Sequence, residues 1–320
     1  MNVSYLVALQ RAWGRARNLL LSPFRLETWL VLGFAAFLSE WLSGGWGHSG
    51  FQGRTGWHHG RAAELLAVLG HPVWGPLVFM VIAVAIILAL VFQWIGARGK
   101  FVFLDGVVRG RASIAEPWTR HARQGNSLFL WKLVFWLLAG FVIGGVLLTT
   151  AGAAVLAAVG LHAPVAAAPP IAAGVALLLA LALLFAFVML LTDDFVVPLM
   201  YRDGLSATNA WGRFLPLLRQ HLGIFVVYGL FVLLLSAIVG AVVAAAGLAT
   251  CCVGFLFLAL PYVGQVILLP LHVTFRGLGP EFLAQFGPDY DVFAVAAPHA
   301  GGAVPPMPPA SVAPPPAPSA

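Results

Sequence analysis

Two adjacent acidic residues, Asp193 and Asp194, interrupt an apolar run that extends from Leu177 to Met200. Ionisable side chains within a membrane segment are costly and often serve a function. Neighbouring helical residues point about 100° apart, so we expect only one of the two to face the interior of a helix bundle. Lys132 and Arg202 are plausible partners. Two interpretations stay open: salt bridges that fix helix ends near the interface, or a proton or cation site.

A second pattern of chemical interest is a repeated set of basic and aromatic residues. The spacing predicts two short amphipathic helices in the membrane interface, with Trp at headgroup level and Arg toward lipid phosphate. Anchoring and specific binding of an anionic headgroup both remain open. Arg109, Ser113, Trp118 and Arg120 recur 93 positions later as Arg202, Ser206, Trp211 and Arg213.

The start of each predicted interface helix carries a capping signal. Ser113 with Glu116 three residues later forms a capping-box pattern, and Ser206 with Asn209 is a weaker version. The N-terminal segment follows the same design, with an apolar stripe opposite basic residues. That stripe consists of Leu6, Leu9, Trp13, Ala16 and Leu20.

Other potential sites are weaker. Glu40 and Glu27 lie near the two ends of the first predicted span, and Glu40 is a further candidate for an intramembrane charge. Four histidines between the first two spans, at positions 48, 58, 59 and 71, have no recognised zinc-ligand spacing, so a solvated loop is favoured. The glycine pattern at 45, 47 and 50 follows no strand and predicts no nucleotide site.

Enzyme motifs are missing from the sequence. It contains no His-Glu-x-x-His, no Gly-x-Ser-x-Gly and no phosphate-binding loop. We therefore expect a non-enzymatic protein without a cofactor or metal.

The composition indicates whether these elements lie in water or in a membrane. Hydrophobic residues make up 61% of the 320 residues, and charged residues only 9%. A soluble domain has about a quarter charged residues. This composition argues against a soluble enzyme, a nucleic-acid binder and a disordered chain, and it predicts an all-α integral membrane protein.

Six segments are long and apolar enough to cross the ~30 Å hydrocarbon core. Fourteen Lys and Arg residues flank one side of these spans and two flank the other, which predicts cytoplasmic N- and C-termini in a bacterial inner membrane. The two repeated loops share one orientation, so the halves would be parallel pseudo-repeats. The predicted spans are Leu26–Ser43, Gly75–Ala97, Leu128–Ala154, Ile171–Thr192, Leu222–Ala246 and Val253–Phe275.

Three regions are predicted from these patterns. An amphipathic cytoplasmic segment covers residues 1–25, the six-helix membrane domain covers 26–277, and a cytoplasmic tail covers 278–320. The tail is rich in Pro and Ala and expected to be disordered from about residue 294. Small-residue spacings in the spans favour close helix packing within the chain, and they leave homo-oligomerisation open.

The chain resembles the multi-helix membrane domain that precedes the catalytic domain in some glycerophosphodiester phosphodiesterases, together with related uncharacterised bacterial membrane families. The resemblance covers roughly residues 20–293 and implies the same multi-helix membrane fold. It does not extend to the activity, because the residues after Phe275 are too few for a phosphodiesterase barrel of about 250 residues. The resemblance is carried by Pro23-Phe24-Arg25, Trp29, Gly33-Phe34, Arg98-Gly99-Lys100-Phe101, Asp105, Glu116-Pro117-Trp118, Asp194-Phe195-Val196-Val197-Pro198 and Ala210-Trp211.

The sequence favours two functional classes. We expect a non-enzymatic membrane scaffold or accessory protein that associates with membrane lipids, with copies of itself or another membrane protein as partners. The alternative is a transporter or channel for a lipid or a small solute. Nucleic acid is not expected as a partner.

Overall fold

The computed structural model describes residues 3–22, 24–41, 74–160, 164–250 and 253–295. These residues form helices and connecting turns, with no strand among them. The four histidines, the glycine pattern at 45–50 and the tail from residue 296 lie outside the described residues. The α-helices are α1 (Tyr5–Leu21), α2 (Leu26–Ala36), α3 (Trp74–Arg109), α4 (Ala115–Arg120), α5 (Ala122–Gly160), α6 (Ala168–Leu191), α7 (Val197–Asp203), α8 (Ala207–Gln220), α9 (Leu222–Ala249), α10 (Val253–Ala259), α11 (Pro261–Ile267) and α12 (Leu269–Leu283).

Four helical segments in the described part of the chain are long and apolar enough to cross a membrane. Few of their residues are buried inside the protein, as expected when large apolar side chains face lipid rather than a protein core. The segments are Gly75–Arg109, Ala122–Gly160, Val165–Asp203 and Leu222–Ala249. Each contains one of the predicted spans and extends beyond it.

The first and last predicted spans are shorter helices in the structure. α2 has 11 residues and continues as a π-helical turn, Phe37–Trp41. The region of the last predicted span is divided among α10, α11 and α12. Proline explains these breaks, because Pro261 and Pro270 each stand at the start of a new helix, where a missing N–H is tolerated. α12 then runs through position 277, the predicted end of the membrane domain.

A second π-helical turn, Thr192–Val196, joins α6 to α7 and contains both adjacent carboxylates. Pro198 has no N–H, so the carbonyl of Asp194 cannot accept the usual hydrogen bond from four residues ahead. The Val197 N–H instead bonds to the carbonyl of Thr192, five residues back. The wider turn leaves backbone carbonyls available to other partners, and such π-bulges often occur at functional sites.

α4 and α8, the two helices predicted to lie in the membrane interface and called interface helices below, both follow a glycine with positive φ. Gly110 (φ 64°) ends the α3 segment and Gly204 (φ 67°) ends α7, and this left-handed conformation favours glycine. Ser206 caps α8 by accepting from the Asn209 N–H at 3.4 Å, as predicted. The prediction for Ser113 is wrong: α4 begins one residue later, and its N-cap is Ile114, which makes no side-chain cap.

Arginines from α3, α4, α7 and α8 gather at one end of the bundle, which we call the basic end; they are Arg109, Arg120, Arg202 and Arg213. Two buried hydrophobic clusters lie here. The larger cluster is centred on the aromatic side chains of Phe195, Phe214, Phe225 and Phe282. These contacts hold the interface helices against the ends of the spans.

α1 packs against α12 through a stripe of small residues. Ala8, Ala12 and Ala16 are fully buried, and Gly277 lies directly against Ala12. Leu6 and Trp13, from the predicted apolar stripe, are instead exposed. The small side chains allow close backbone approach, which is the usual way in which membrane helices associate.

Replacing Ala12 with leucine should push α1 away from α12. Overpacking a close contact costs about 1–3 kcal/mol, and the undocked α1 should be cleaved several-fold faster by trypsin at its own arginines. The control is Gly14→Leu, which adds the same side chain where no atom lies within 4 Å. Equal cleavage rates in the two variants would show that the alanine stripe does not hold α1 in place.

Candidate functional site

Asp193 lies between two lysines from different spans. Its Oδ2 accepts from Lys100 Nζ on α3, and its Oδ1 accepts from Lys132 Nζ on α5 at 2.9 Å. Both lysines are only 4% exposed. A single carboxylate therefore joins three long helices through charge-assisted hydrogen bonds, which are about twice as strong as neutral ones.

Arg276 of α12 binds the backbone of the same region. Its guanidinium donates to the carbonyls of Asp193 at 3.2 Å and Lys100 at 3.1 Å. The carbonyl of Asp193 is available for this contact because the π-helical turn displaces its usual partner. α12 approaches so closely that a Cβ on Gly279 would overlap the carbonyl oxygen of Asp194.

Asp194 also faces the bundle, in contrast to the prediction that only one of the adjacent carboxylates would. Its Oδ2 accepts a hydrogen bond of 2.8 Å from the Tyr228 hydroxyl on α9. Glu40, from the first π-helical turn, lies within electrostatic range of Lys100 and Asp194. Both carboxylates find partners because the π-helical turn is surrounded by helices on more than one side.

These residues form a charge cluster in which cations and carboxylates are balanced. Three cationic side chains (Lys100, Lys132 and Arg276) face three carboxylates (Asp193, Asp194 and Glu40). Burying an ion is costly unless it is paired and hydrogen-bonded. The pairing of Asp193 with two lysines from different helices fits a clamp between the long helices.

A second polar network lies closer to the basic end. The Tyr201 hydroxyl donates to Asp105 Oδ1 at 2.8 Å, and Arg109 Nε lies 3.0 Å from the same oxygen. The His121 ring packs 4.8 Å from the Tyr201 ring, and its Nε2 lies 3.6 Å from Asp105 Oδ1, beyond hydrogen-bond distance. The network positions Arg109 and His121 side by side.

These two residues border a cavity of about 350 Å³ between the two interface-helix connections. The cavity brings together residues from α3, the α4–α5 junction and α7, because the two glycine turns bring these segments to the same end of the bundle. Its lining residues are Arg109, Arg120, His121, Gln124, Tyr201, Arg202, Asp203 and Gly204.

Several polar atoms of the cavity residues are buried without a hydrogen-bond partner among the described residues. They are His121 Nδ1 and Nε2, Gln124 Oε1 and Arg202 Nη1. The nearest carboxylate to Arg202 Nη1 is Asp203, 3.8 Å away. Each such atom costs about 1–3 kcal/mol unless a partner satisfies it. Four such atoms belong to residues that line this one cavity, the arrangement expected where a polar ligand or ordered water completes a site.

The surroundings of the cavity carry an excess of positive charge. Two carboxylates near it are already shared: Glu116 lies 3.4–3.8 Å from three arginines, and Asp203 accepts from Arg213 at 2.7 Å. Arg120 is the most exposed lining cation, with about half of its side chain accessible. The five arginines in ionic contact here outnumber the three carboxylates, and they are Arg109, Arg111, Arg120, Arg202 and Arg213.

The structure separates the sequence candidates into two groups. Arg109, Arg120 and Arg202 line the cavity, whereas Arg213 lies beside it and donates to Asp203 and to the carbonyl of Asp289. Arg202, expected as a partner of Asp193 or Asp194, instead lies beside Asp203 and donates from Nη2 to the carbonyl of Pro288.

Trp118 and Trp211 lie outside the cavity lining and pack the interface helices against the long helices α3 and α5. Trp118 packs edge-on against Trp94 of α3, with ring centroids 6.2 Å apart. Trp211 stacks on Trp131 of α5 at 5.8 Å. Their contacts position the arginine-bearing segments, and their direct role with headgroups stays a prediction.

Several residues of each site were not predicted from the sequence. Lys100, Tyr228 and Arg276 were not singled out for the charge cluster, nor were His121 and Gln124 for the cavity. One signal was available: Lys100 stands 93 positions before Asp193, the offset of the repeated loops, and carries the opposite charge. No comparable signal marks His121, whose position depends on the turn between α4 and α5.

The sequence was compared with protein families, curated proteins and solved structures. A family of unknown function, DUF7544, has a model that matches residues 4–295, so the chain belongs to this family. No curated protein and no solved structure matches the chain.

Proposed function

We propose that this DUF7544 member is a multi-pass inner-membrane protein that binds an anionic lipid headgroup at its basic end and acts as a non-enzymatic scaffold or accessory protein. The observation that carries the proposal is the arginine-lined cavity with four unpartnered buried polar atoms. Guanidinium groups suit phosphate because their fork of donors matches its oxygens.

The topology follows from the distribution of charge. The basic end would be cytoplasmic, where anionic lipids attract clusters of Lys and Arg. We propose six membrane-associated helical segments, with α2 and the α10–α12 region completing the four long spans. This arrangement also agrees with the resemblance to the membrane domain of glycerophosphodiester phosphodiesterases, which we retain as a proposal.

We further propose that the two halves are parallel pseudo-repeats. Each half contains a long span, a glycine with positive φ, an interface helix and a second span. The cavity would lie between the two equivalent connections, with Arg109 and Arg202 at corresponding positions. The Lys100–Asp193 ion pair would likewise join corresponding positions of the two spans.

The alternative, a transporter or channel, is favoured by one observation. Carboxylates within a membrane span are typical of ion-coupled transport, and Asp194 accepts only one side-chain hydrogen bond, from Tyr228, among those described. The pairing of Asp193 with two lysines favours a structural clamp over a site that exchanges ions. For this reason the scaffold is our first proposal.

The test is lipid retention by purified protein, measured by native mass spectrometry in phosphatidylcholine with added phosphatidylglycerol. We expect Arg202→Gln to reduce affinity for the anionic lipid about tenfold or more, because it removes a charge-assisted hydrogen bond of about 1.5–3 kcal/mol. Arg219→Gln is the matched control: it removes the same charge from the exposed end of α8.

Equal lipid affinity in the two variants would reject the cavity as the headgroup site. A preference for anionic lipid that is lost equally in both would point to general surface charge. Mass spectrometry of the same samples also reports the oligomeric state and any retained protein partner, which tests the scaffold role directly.

A further inference from the structure

We infer that the ligand of the arginine-lined cavity is a phosphate ester whose alcohol part carries a free hydroxyl group. The inference rests on the proposed function and specifies the chemistry of the headgroup. It depends on the acceptors of the cavity, which phosphate binding alone does not explain.

The donors of the cavity account for a phosphate. Arg109, Arg120 and Arg202 are cations that line it, and Arg202 Nη1 has no hydrogen-bond partner among the described residues. Phosphate oxygens accept hydrogen bonds, and an ester anion would offset the surplus positive charge of this region. A ligand limited to phosphate oxygens would satisfy only these groups.

The acceptors require a donor from the ligand. Gln124 Oε1 is buried and accepts no hydrogen bond from the described residues. Asp203 uses Oδ2 for Arg213, whereas its Oδ1 is 3.8 Å from Arg202 Nη1, too far for a hydrogen bond. Deprotonated phosphate oxygens cannot donate to either acceptor, whereas a hydroxyl group can.

His121 fits a ligand that donates a hydrogen bond. A neutral imidazole has one donor and one acceptor nitrogen, and both nitrogens of His121 lack hydrogen bonds. The ring is fixed by packing against Tyr201 and Phe101, so it cannot turn freely toward other partners. Its Nε2 faces Asp105 Oδ1 at 3.6 Å, which places the donor nitrogen toward this carboxylate and leaves Nδ1 as an acceptor that suits a hydroxyl hydrogen.

Charge distinguishes a hydroxyl from an ammonium group. Three arginines line the cavity with a single carboxylate, and that carboxylate already binds Arg213. An additional cation would be repelled, whereas a neutral hydroxyl would not. The volume of about 350 Å³ is roughly ten times that of a liquid water molecule, so an alcohol of several carbons fits beside the phosphate.

The test compares ligands of equal charge that differ in hydroxyl content. Phosphatidylglycerol and phosphatidylmethanol are both anionic diesters, but only the first has free hydroxyls. In phosphatidylcholine nanodiscs, we expect the wild-type protein to retain phosphatidylglycerol about tenfold more strongly. Gln124→Leu should reduce this preference several-fold without weakening phosphatidylmethanol binding, and Gln220→Leu, at the exposed end of α8, should leave it unchanged.

A soluble arm identifies the source of the phosphate ester. Glycerol phosphate and methyl phosphate are compared as competitors under the same conditions. Preference for phosphatidylglycerol supports the inference with a lipid source. Preference for glycerol phosphate without lipid discrimination supports the hydroxyl chemistry and overturns the lipid source of the proposed function.

The remaining outcomes separate failure of the inference from failure of the proposed function. If both lipids bind equally and Arg202→Gln weakens both, the hydroxyl inference is overturned and headgroup binding stands. If no ligand binds in an Arg202-dependent manner, both are overturned. The wild-type comparison decides the inference even if Gln124→Leu does not fold.

Discussion

Replacing Asp193 with asparagine should destabilise the protein by about 3–5 kcal/mol, the usual cost of removing one partner from a buried ion pair. Lys100 and Lys132, both almost fully buried, would lose the carboxylate that both of them bind. About a quarter of the Asp193 side chain is exposed, which places the expected value toward the lower end of this range. The free energy of unfolding can be measured by titration with a denaturing detergent.

The adjacent residue provides the control. Asp194→Asn keeps an oxygen that can accept from the Tyr228 hydroxyl, so we expect a cost below about 1.5 kcal/mol. If both variants unfold at the same detergent concentration, the lysine pair does not depend on Asp193. A stabilised Asp193→Asn variant would instead indicate that the ionised Asp193 lowers the stability of the protein and is retained for its function.

Replacing Gly279 with alanine should cost about 2–3 kcal/mol, although alanine is the better helix former. The added Cβ would overlap the carbonyl oxygen of Asp194 and lie 2.9 Å from its carbonyl carbon and Cα. These are backbone atoms, so no change of rotamer relieves the clash, and α12 must move away from the π-helical turn. The contacts of Arg276 with Asp193 and Lys100 would lengthen with it.

Gly212→Ala in α8 is the opposite case, because no atom lies within 4 Å of the added Cβ. It should leave stability unchanged or raise it by up to about 1 kcal/mol. Thermal unfolding of the two variants in the same detergent compares them directly. If the Gly279→Ala and Gly212→Ala proteins are equally stable, α12 does not pack closely against the π-helical turn.

The long spans were predictable because each needs only about 20 apolar residues in sequence, a local property. The helices Ala122–Gly160 and Leu222–Ala249 contain two predicted spans completely. The break at Pro261 also had a local signal, which the run of apolar residues concealed. Where proline and hydropathy compete, hydropathy alone overestimates the length of a helix.

The sites were only partly predictable because they depend on contacts distant in sequence. The arginines of the cavity were found from their repeated spacing, whereas Gln124 is a common residue whose buried oxygen is evident only in three dimensions. Arg276 reads as an ordinary basic residue at a helix end, but it binds two carbonyls more than 80 positions away. The π-helical turn that frees one of those carbonyls has no reliable sequence signature beyond Pro198.

The pairing of α1 with α12 has a consequence for biosynthesis. Ser4 and Gln285 exchange two hydrogen bonds across 281 positions, and Arg15 forms an ion pair with Glu281. α1 therefore leaves the ribosome before its partner α12 and waits for it, on the order of tens of seconds at about 5–20 residues per second. During that time its alanine stripe has no partner within the chain. Docking of α1 is thus coupled to the synthesis of α12, so a chain truncated before α12 would retain its four long helices while α1 lacked this partner.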